Sequence, residues 1–148
     1  MSYIKELRNL VGHRPLILVG EVVIVMDERD RILMHHRTDE DAWDLPGGFM
    51  ELNEAIEETA RREVKEETRL SVEELKLVEI FSGEEFFYTC PNGDQVCPVT
   101  VVYQTRNFSG TLQADGEEGC EVLFCALDDL PVGTYPECRR IIQECVVI

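Results

Sequence analysis

The run from Leu45 to Leu70 constrains this chain more than any other stretch, because it sets a paired-glycine turn, Gly47-Gly48, directly ahead of an acidic segment that nothing interrupts. From Glu54 to Thr68 there is neither proline nor glycine, and good helix formers fill most positions, which predicts a helix with Asn53 as its N-cap. At about 100° per residue, Ile56, Ala60 and Val64 form one apolar stripe, the face that a helix turns to a core. Glu63 and Glu67 fall on the same side, one turn apart, with Glu66 on the flank. Carboxylates crowded toward a low-dielectric interior repel each other and lose hydration, so protons or a cation must join them. A hard divalent cation with oxygen ligands meets that need. The plainer alternative is a solvated helix whose glutamates pair with Arg61, Arg62 and Lys65 at i,i+4 spacing, and Glu57 and Glu58 fit it better than Glu63 and Glu67 do.

The composition limits what such a site can serve. A formal net charge of −16 argues against nucleic-acid backbones and anionic membranes as partners, since both would be repelled. A phosphorylated substrate would need local cations to overcome that background, which strengthens the expectation of a metal. With 148 residues the chain is expected to form one domain, residues 1–148. No apolar run approaches the ~18 to 20 residues of a membrane span, and the start lacks a secretory h-region, so a cytoplasmic protein is expected. Six cysteines, Cys90, Cys97, Cys120, Cys125, Cys138 and Cys145, form no C-x-x-C pair and sit in apolar-rich segments, so reduced thiols are expected.

Around the central segment, strands and helices alternate. Residues 2–11 suggest a short amphipathic helix with Ile4, Leu7, Leu10 and Val11 on one side, for packing or a dimer contact. Pro15 to Asp27 reads as a buried strand bent or broken near Gly20, and Arg31 to Arg37 as its return strand in a hairpin. His35 and His36 point to opposite faces of that strand, so at most one can join a given site, and a structural or surface role is expected. Arg37, a cation at the strand end, is a candidate for substrate phosphate, against a plain salt bridge to Asp39, Glu40 or Asp41. Strand-like segments follow at Ser71 to Ile80 and Glu84 to Cys90, and Asn92-Gly93 signals a hairpin of two positive-φ residues before the strand Val96 to Thr105. In that register Cys90 would face Gln95, and Cys97 would face Tyr88. Phe86, Phe87, Tyr88 and Tyr103 are expected in the core, with one or two free to stack on a base. A strand at Cys120 to Ala126 and a helix from Pro136 to about Val146, burying Ile141, Ile142 and Cys145, complete the chain. This alternation argues for an α/β fold with one mixed β-sheet flanked by helices, an α/β/α sandwich.

At its central segment the chain resembles the Nudix hydrolases, whose box can be written G-x5-E-x7-R-E-U-x-E-E-x-G-U, with U a bulky aliphatic residue. Gly48 opens the pattern, Glu54 follows, then Arg62-Glu63-Val64, Glu66-Glu67 and Leu70, and the preceding Trp43 to Gly48 fits the W-x-L-P-G-G lead-in. One position departs: Arg69 stands where the family has glycine, at a cost of order 1 kcal/mol if the residue is left-handed, and a slightly adjusted helix end is expected. The resemblance implies a Nudix-type α/β/α sandwich and a pyrophosphohydrolase that cleaves a nucleoside diphosphate derivative, ADP-ribose-like, (d)NTP or related, by attack of water on phosphorus. It further implies that Glu63, Glu66 and Glu67 bind catalytic Mg²⁺ or Mn²⁺, that Arg62 and Glu54 orient them, and that Gly47 and Gly48 let backbone approach metal and substrate. Glu67 is one candidate for the base, and Glu118, from the acidic loop Ala114 to Gly119, is the other. A homodimer is a family-level expectation, and a catalytically silent nucleotide-binding module is the competing reading, with Arg69 its only foothold.

Overall fold

The structure, a computed structural model, describes residues 2–114 and 119–146. Strand β1 (Leu16–Val25) is its spine, because the alternation of a strand sends successive side chains to opposite faces and both faces of β1 are buried toward its C-terminal end. Val23 and Val25 point into one core with Ala60, Val64, Leu70, Val72 and Tyr103. Ile24 and Met26 point into another, with Cys138, Ile141, Ile142 and Cys145. The first core lies under helix α2 (Ile56–Thr68) and the second under α3 (Pro136–Cys145). Helices on both faces of a strand layer give the expected α/β/α sandwich.

The strand layer is built from more than the single sheet expected. A five-stranded mixed sheet contains β4 (Gly47–Phe49), β1, β8 (Gln95–Thr105) and β6 (Lys76–Phe81) in that order, with β7 (Tyr88–Thr89) also on β8. In it β1 and β8 run parallel, and the other pairs are antiparallel. Strand β2 (Ile32–Arg37) forms a second, antiparallel sheet with β3 (Ala42–Asp44) and β10 (Gly119–Cys125), and β5 (Ser71–Val72) pairs β9 (Phe108–Ser109). The anticipated hairpin between β1 and β2 is reduced to one bridge, Met26 to Ile32. The reason is that a strand has two edges, and β4 and β8 already occupy those of β1.

Three local expectations need correction. Strand β1 runs unbroken through Gly20, where glycine serves close approach instead of bending: a Cβ there would lie 2.8 Å from the Gly48 carbonyl oxygen. In the Asn92-Gly93 hairpin, Gly93 has positive φ and Asn92 does not. Pro91 at the second turn position favours a turn closed by Gly93 N–H to Cys90 C=O at 2.9 Å, so Tyr88 pairs with Val96 and the register is one residue from that expected. Cys90 and Cys97 are nevertheless free thiols, as are Cys125, Cys138 and Cys145. Finally, α2 begins at Ile56 with Ala55 at the N-cap, because Asn53 is left-handed (φ 64°) and Glu54 turns its carboxylate inward. The first helix, α1 (Tyr3–Val11), has no fully buried residue, and Leu10 is exposed. Among the described residues no helix is long and apolar enough to cross a membrane.

Candidate active site

Strand β4 lies antiparallel against β1, with Gly47 opposite Val22 and Gly48 opposite Glu21, and α2 packs across both strands. Both glycines are demanded by contact. A Cβ on Gly47 would collide with the Glu21 carbonyl, and one on Gly48 would sit 2.5 Å from the carboxyl carbon of Glu63. The Gly47 N–H donates to Glu67 Oε1 at 2.9 Å. Thus the turn predicted to shape the site touches two of the three glutamates predicted to use it, Glu63 and Glu67.

Arg62 organises the exposed side of this cluster. Its Nε and Nη2 donate to the two oxygens of Glu54 at 2.7 and 3.0 Å, its Nη1 to Glu63 Oε1 at 2.8 Å and, longer, to Glu66 Oε2 at 3.4 Å. Nη2 also reaches the Phe49 carbonyl at 3.3 Å. Glu54 further accepts from the Thr59 hydroxyl at 2.7 Å and the Glu51 N–H at 3.1 Å. Arg62 foremost, helped by those two donors, holds the Glu54 carboxyl down to about 2. Exposure is graded: Glu67 is 7%, Glu63 14% and Glu66 57% accessible at the side chain, so the first two face inward as the helical wheel indicates.

Two residues that sequence reasoning did not assign to the site belong to this neighbourhood. His35, expected to be structural or at the surface, is buried, and its Nδ1 lies 3.1 Å from Glu67 Oε2. Glu21 is 2% exposed, and neither of its carboxylate oxygens has a hydrogen-bond partner. Burial first, and the nearby Glu63 second, push the Glu21 carboxyl well above the carboxylate range; Arg62 and the Gly48 N–H oppose this only in part. Period-two alternation could have flagged both, since Glu21 shares its face with Val23 and Val25, and His35 with Leu33, all core positions under α2.

Other predicted residues fall as follows. Arg37, two residues beyond His35 on β2, is 43% accessible and is held by Asp39 at 3.0 Å, the salt bridge weighed against a phosphate contact. Glu118 and its neighbour Glu117 lie outside the described residues. Arg69 is left-handed (φ 67°, ψ 3°) and its N–H bonds the Lys65 carbonyl, so the helix end keeps the conformation glycine would take, without the anticipated adjustment. Of the aromatics, Tyr103 is buried and Phe86 packs on Phe81 beneath Arg140, while Phe87 and Tyr88 are exposed. A groove of about 740 Å³, lined by Ile17, Phe87, Cys97 and Val99 among others, opens along β1 and β8. Ile17 is on the same face of β1 as Glu21, about 13 Å along the strand.

The donor set suits a hard cation: Glu63, Glu66, Glu67 and Glu21 offer only oxygen, and Glu21 is a buried carboxylate with no hydrogen bond. Among the described residues, however, no three His, Cys, Asp or Glu side chains are gathered closely enough to enclose one ion. Glu63 and Glu66 lean on Arg62, and Glu67 on Gly47 and His35.

A family model described as the NUDIX domain matches residues 18–145. A Bacillus subtilis protein named "Putative 8-oxo-dGTP diphosphatase" is 49% identical over 131 residues, which cover 84% of this chain and 77% of that protein. An ADP-ribose pyrophosphatase of Methanocaldococcus jannaschii is 32% identical over 100 residues, 68% of this chain and 54% of that protein. Among solved structures, a MutT NUDIX hydrolase from Burkholderia pseudomallei superposes with a TM-score of 0.74 at 26% identity, covering 87% of this chain and 98% of that one.

Proposed function

Because the chain belongs to the NUDIX family and is a pyrophosphohydrolase of that family, we propose that it cleaves the phosphoanhydride of a nucleoside triphosphate or nucleotide-linked diphosphate, with Glu63, Glu66 and Glu67 as its metal-binding carboxylates. The observation that carries this reading is the seating of Glu63 and Glu67 directly beneath the Gly47-Gly48 turn, with the Glu63 carboxyl in the space a Gly48 side chain would fill and Glu67 held by the Gly47 N–H. A Mg²⁺ or Mn²⁺ ion bound there would neutralise phosphate charge and lower the pKa of a bound water.

The protein's own residues supply the remainder. Arg62, fixed by the bidentate grip of Glu54, positions Glu63 and Glu66 on one side. Gly47 N–H and His35 fix Glu67 on the other. Glu67, buried and one turn from Glu63, would take the proton of the attacking water, with Glu118 as the alternative base. The apolar groove at Ile17, Phe87, Cys97 and Val99 would take the nucleobase, with Phe87 offering a ring face.

Substrate choice follows the relatives: 8-oxo-dGTP first, on the Bacillus subtilis name, with dGTP as its unoxidised control, and ADP-ribose second, on the Methanocaldococcus jannaschii one. The test is a panel of these compounds with Mg²⁺, Mn²⁺ or EDTA, following nucleotide and phosphate products by chromatography. Metal-dependent release of a nucleoside monophosphate supports the reading. Binding without turnover across the panel would instead favour a silent nucleotide-binding module.

A further inference from the structure

We propose that Glu21 is a further ligand of the divalent cation, reaching it from the sheet side against Glu63. The inference rests on the metal-dependent reading above and adds a residue outside the 45–70 segment that carries it.

The geometry begins with the ladder. Glu21 is paired with Gly48, and residues directly opposite in an antiparallel pair project to the same face of the sheet. On that face the place of the Gly48 side chain is taken by the Glu63 carboxyl group, whose carbon would be 2.5 Å from a Cβ on Gly48. The Glu21 side chain therefore rises beside Glu63, between the strand layer and α2. Along the same face of β1 the next residues are Val23 and Val25, both fully buried in the core under α2. The hydrophobic pattern calls for a third aliphatic residue at position 21, and a carboxylate stands there instead.

No hydrogen bond of good geometry answers that carboxylate, and Arg62 and the Gly48 N–H offset its burial only in part. Three other buried groups nearby are bonded: the Thr59 hydroxyl to Glu54, the Thr68 hydroxyl to the Val64 carbonyl, and Glu67 to Gly47. Both oxygens of Glu21 lack a hydrogen bond. The charges that face it are Glu63 and Glu54, both negative, and Arg62. Arg62 already spends its donors on Glu54, Glu63, Glu66 and the Phe49 carbonyl. A second positive charge is wanted between Glu21 and Glu63, where a hard dication with oxygen ligands has both the charge and the ligand preference.

The experiment measures Mn²⁺ binding to the full chain by calorimetry, alongside thermal unfolding with and without Mn²⁺, for wild type, Glu21→Gln, Glu21→Asp and Glu63→Gln. The expected result is at least a tenfold weaker Mn²⁺ affinity in Glu21→Gln, with an unchanged or higher Tm in the absence of metal and a smaller Mn²⁺-induced rise. Glu21→Asp, which keeps the charge on a shorter arm, should fall between wild type and Glu21→Gln, and serves if the amide fails to fold. A merely structural glutamate would behave in the opposite way, lowering the metal-free Tm and leaving Mn²⁺ affinity within twofold of wild type, and that outcome overturns the proposal. If Glu63→Gln loses Mn²⁺ while both Glu21 variants retain it, the functional reading stands and Glu21 is excluded. If wild type binds no Mn²⁺, both fall together.

Discussion

The two faces of β1 are packed by different rules. Toward α3, the contributions are Ile24, Met26, Ile32, Met34 and Val102 against Cys138, Ile141, Ile142 and Cys145, with Asp44 at the margin, bonded to Cys138 and its carboxyl pushed up to about 6 by burial. Toward α2, the same strands carry Val23, Val25 and Leu33, and then, further toward the Gly47-Gly48 turn, Glu21 and His35 facing Glu63 and Glu67. Both faces are buried, yet one gives up apolar contact at one end for carboxylates that must be bonded or neutralised. Where several carboxylates break the hydrophobic pattern together, on adjacent strands and a helix, the chain is shaped for chemistry and not for stability alone.

That contrast predicts a separation of phenotypes. The largest effect should come from Glu63→Gln on the α2 face, which removes a charge while keeping size. Its kcat/KM is expected to fall by about 10² to 10⁴, the range for loss of a key polar catalytic group, with little change in Tm. On the opposite face, Ile142→Ala should cost about 2–5 kcal/mol in urea unfolding through the cavity it leaves. Its activity, measured well below its Tm, should stay within a few-fold of wild type. Turnover lost with Ile142→Ala and kept with Glu63→Gln would reverse the assignment of the two faces.

Arg62→Gln tests the α2 face through pH. Glu54 is held to about 2 against an ordinary 4.5, chiefly by Arg62, so the stability it contributes is complete above pH 4.5 and is lost as pH falls toward 2. The variant should show a flatter dependence of unfolding free energy on pH between about 2 and 4.5. Urea titrations across that window check it. The smallest effect is expected for Arg69→Gly at the end of α2. Relieving a left-handed arginine should stabilise the fold by about 0.5–1 kcal/mol, a rise of roughly 1–4 °C in Tm, without altering turnover.

The legibility of the two faces in the sequence also differs. The α3 side follows from local rules: Pro136 in the first turn and burial of Ile141, Ile142 and Cys145 are as the pattern predicts. On the α2 side, Glu63 and Glu67 could be placed facing inward from helical spacing alone. What could not be read there depends on contacts distant in sequence. Glu54 leaves the helix because Arg62 and Thr59 claim its carboxylate, which shifts the start of α2 to Ile56. Strand β2 leaves β1 because β4 and β8 have taken both edges, and that departure brings His35 to Glu67. Glu21 was hidden within a run of β-branched residues, where one acidic residue does not disturb the strand reading, and its significance appears only once Gly48 is its ladder partner.

On the proposed function, the carboxylates under the Gly47-Gly48 turn would make this chain a metal-dependent phosphoanhydride hydrolase. The most direct measurement compares wild type with Glu67→Gln, on whichever panel compound wild type hydrolyses fastest in Mg²⁺ or Mn²⁺, with circular dichroism and Tm recorded on the same samples. The account predicts turnover in wild type that EDTA abolishes and at least a hundredfold lower rate in a folded Glu67→Gln. Equal rates for the two proteins, or a wild-type rate indifferent to EDTA, would contradict it.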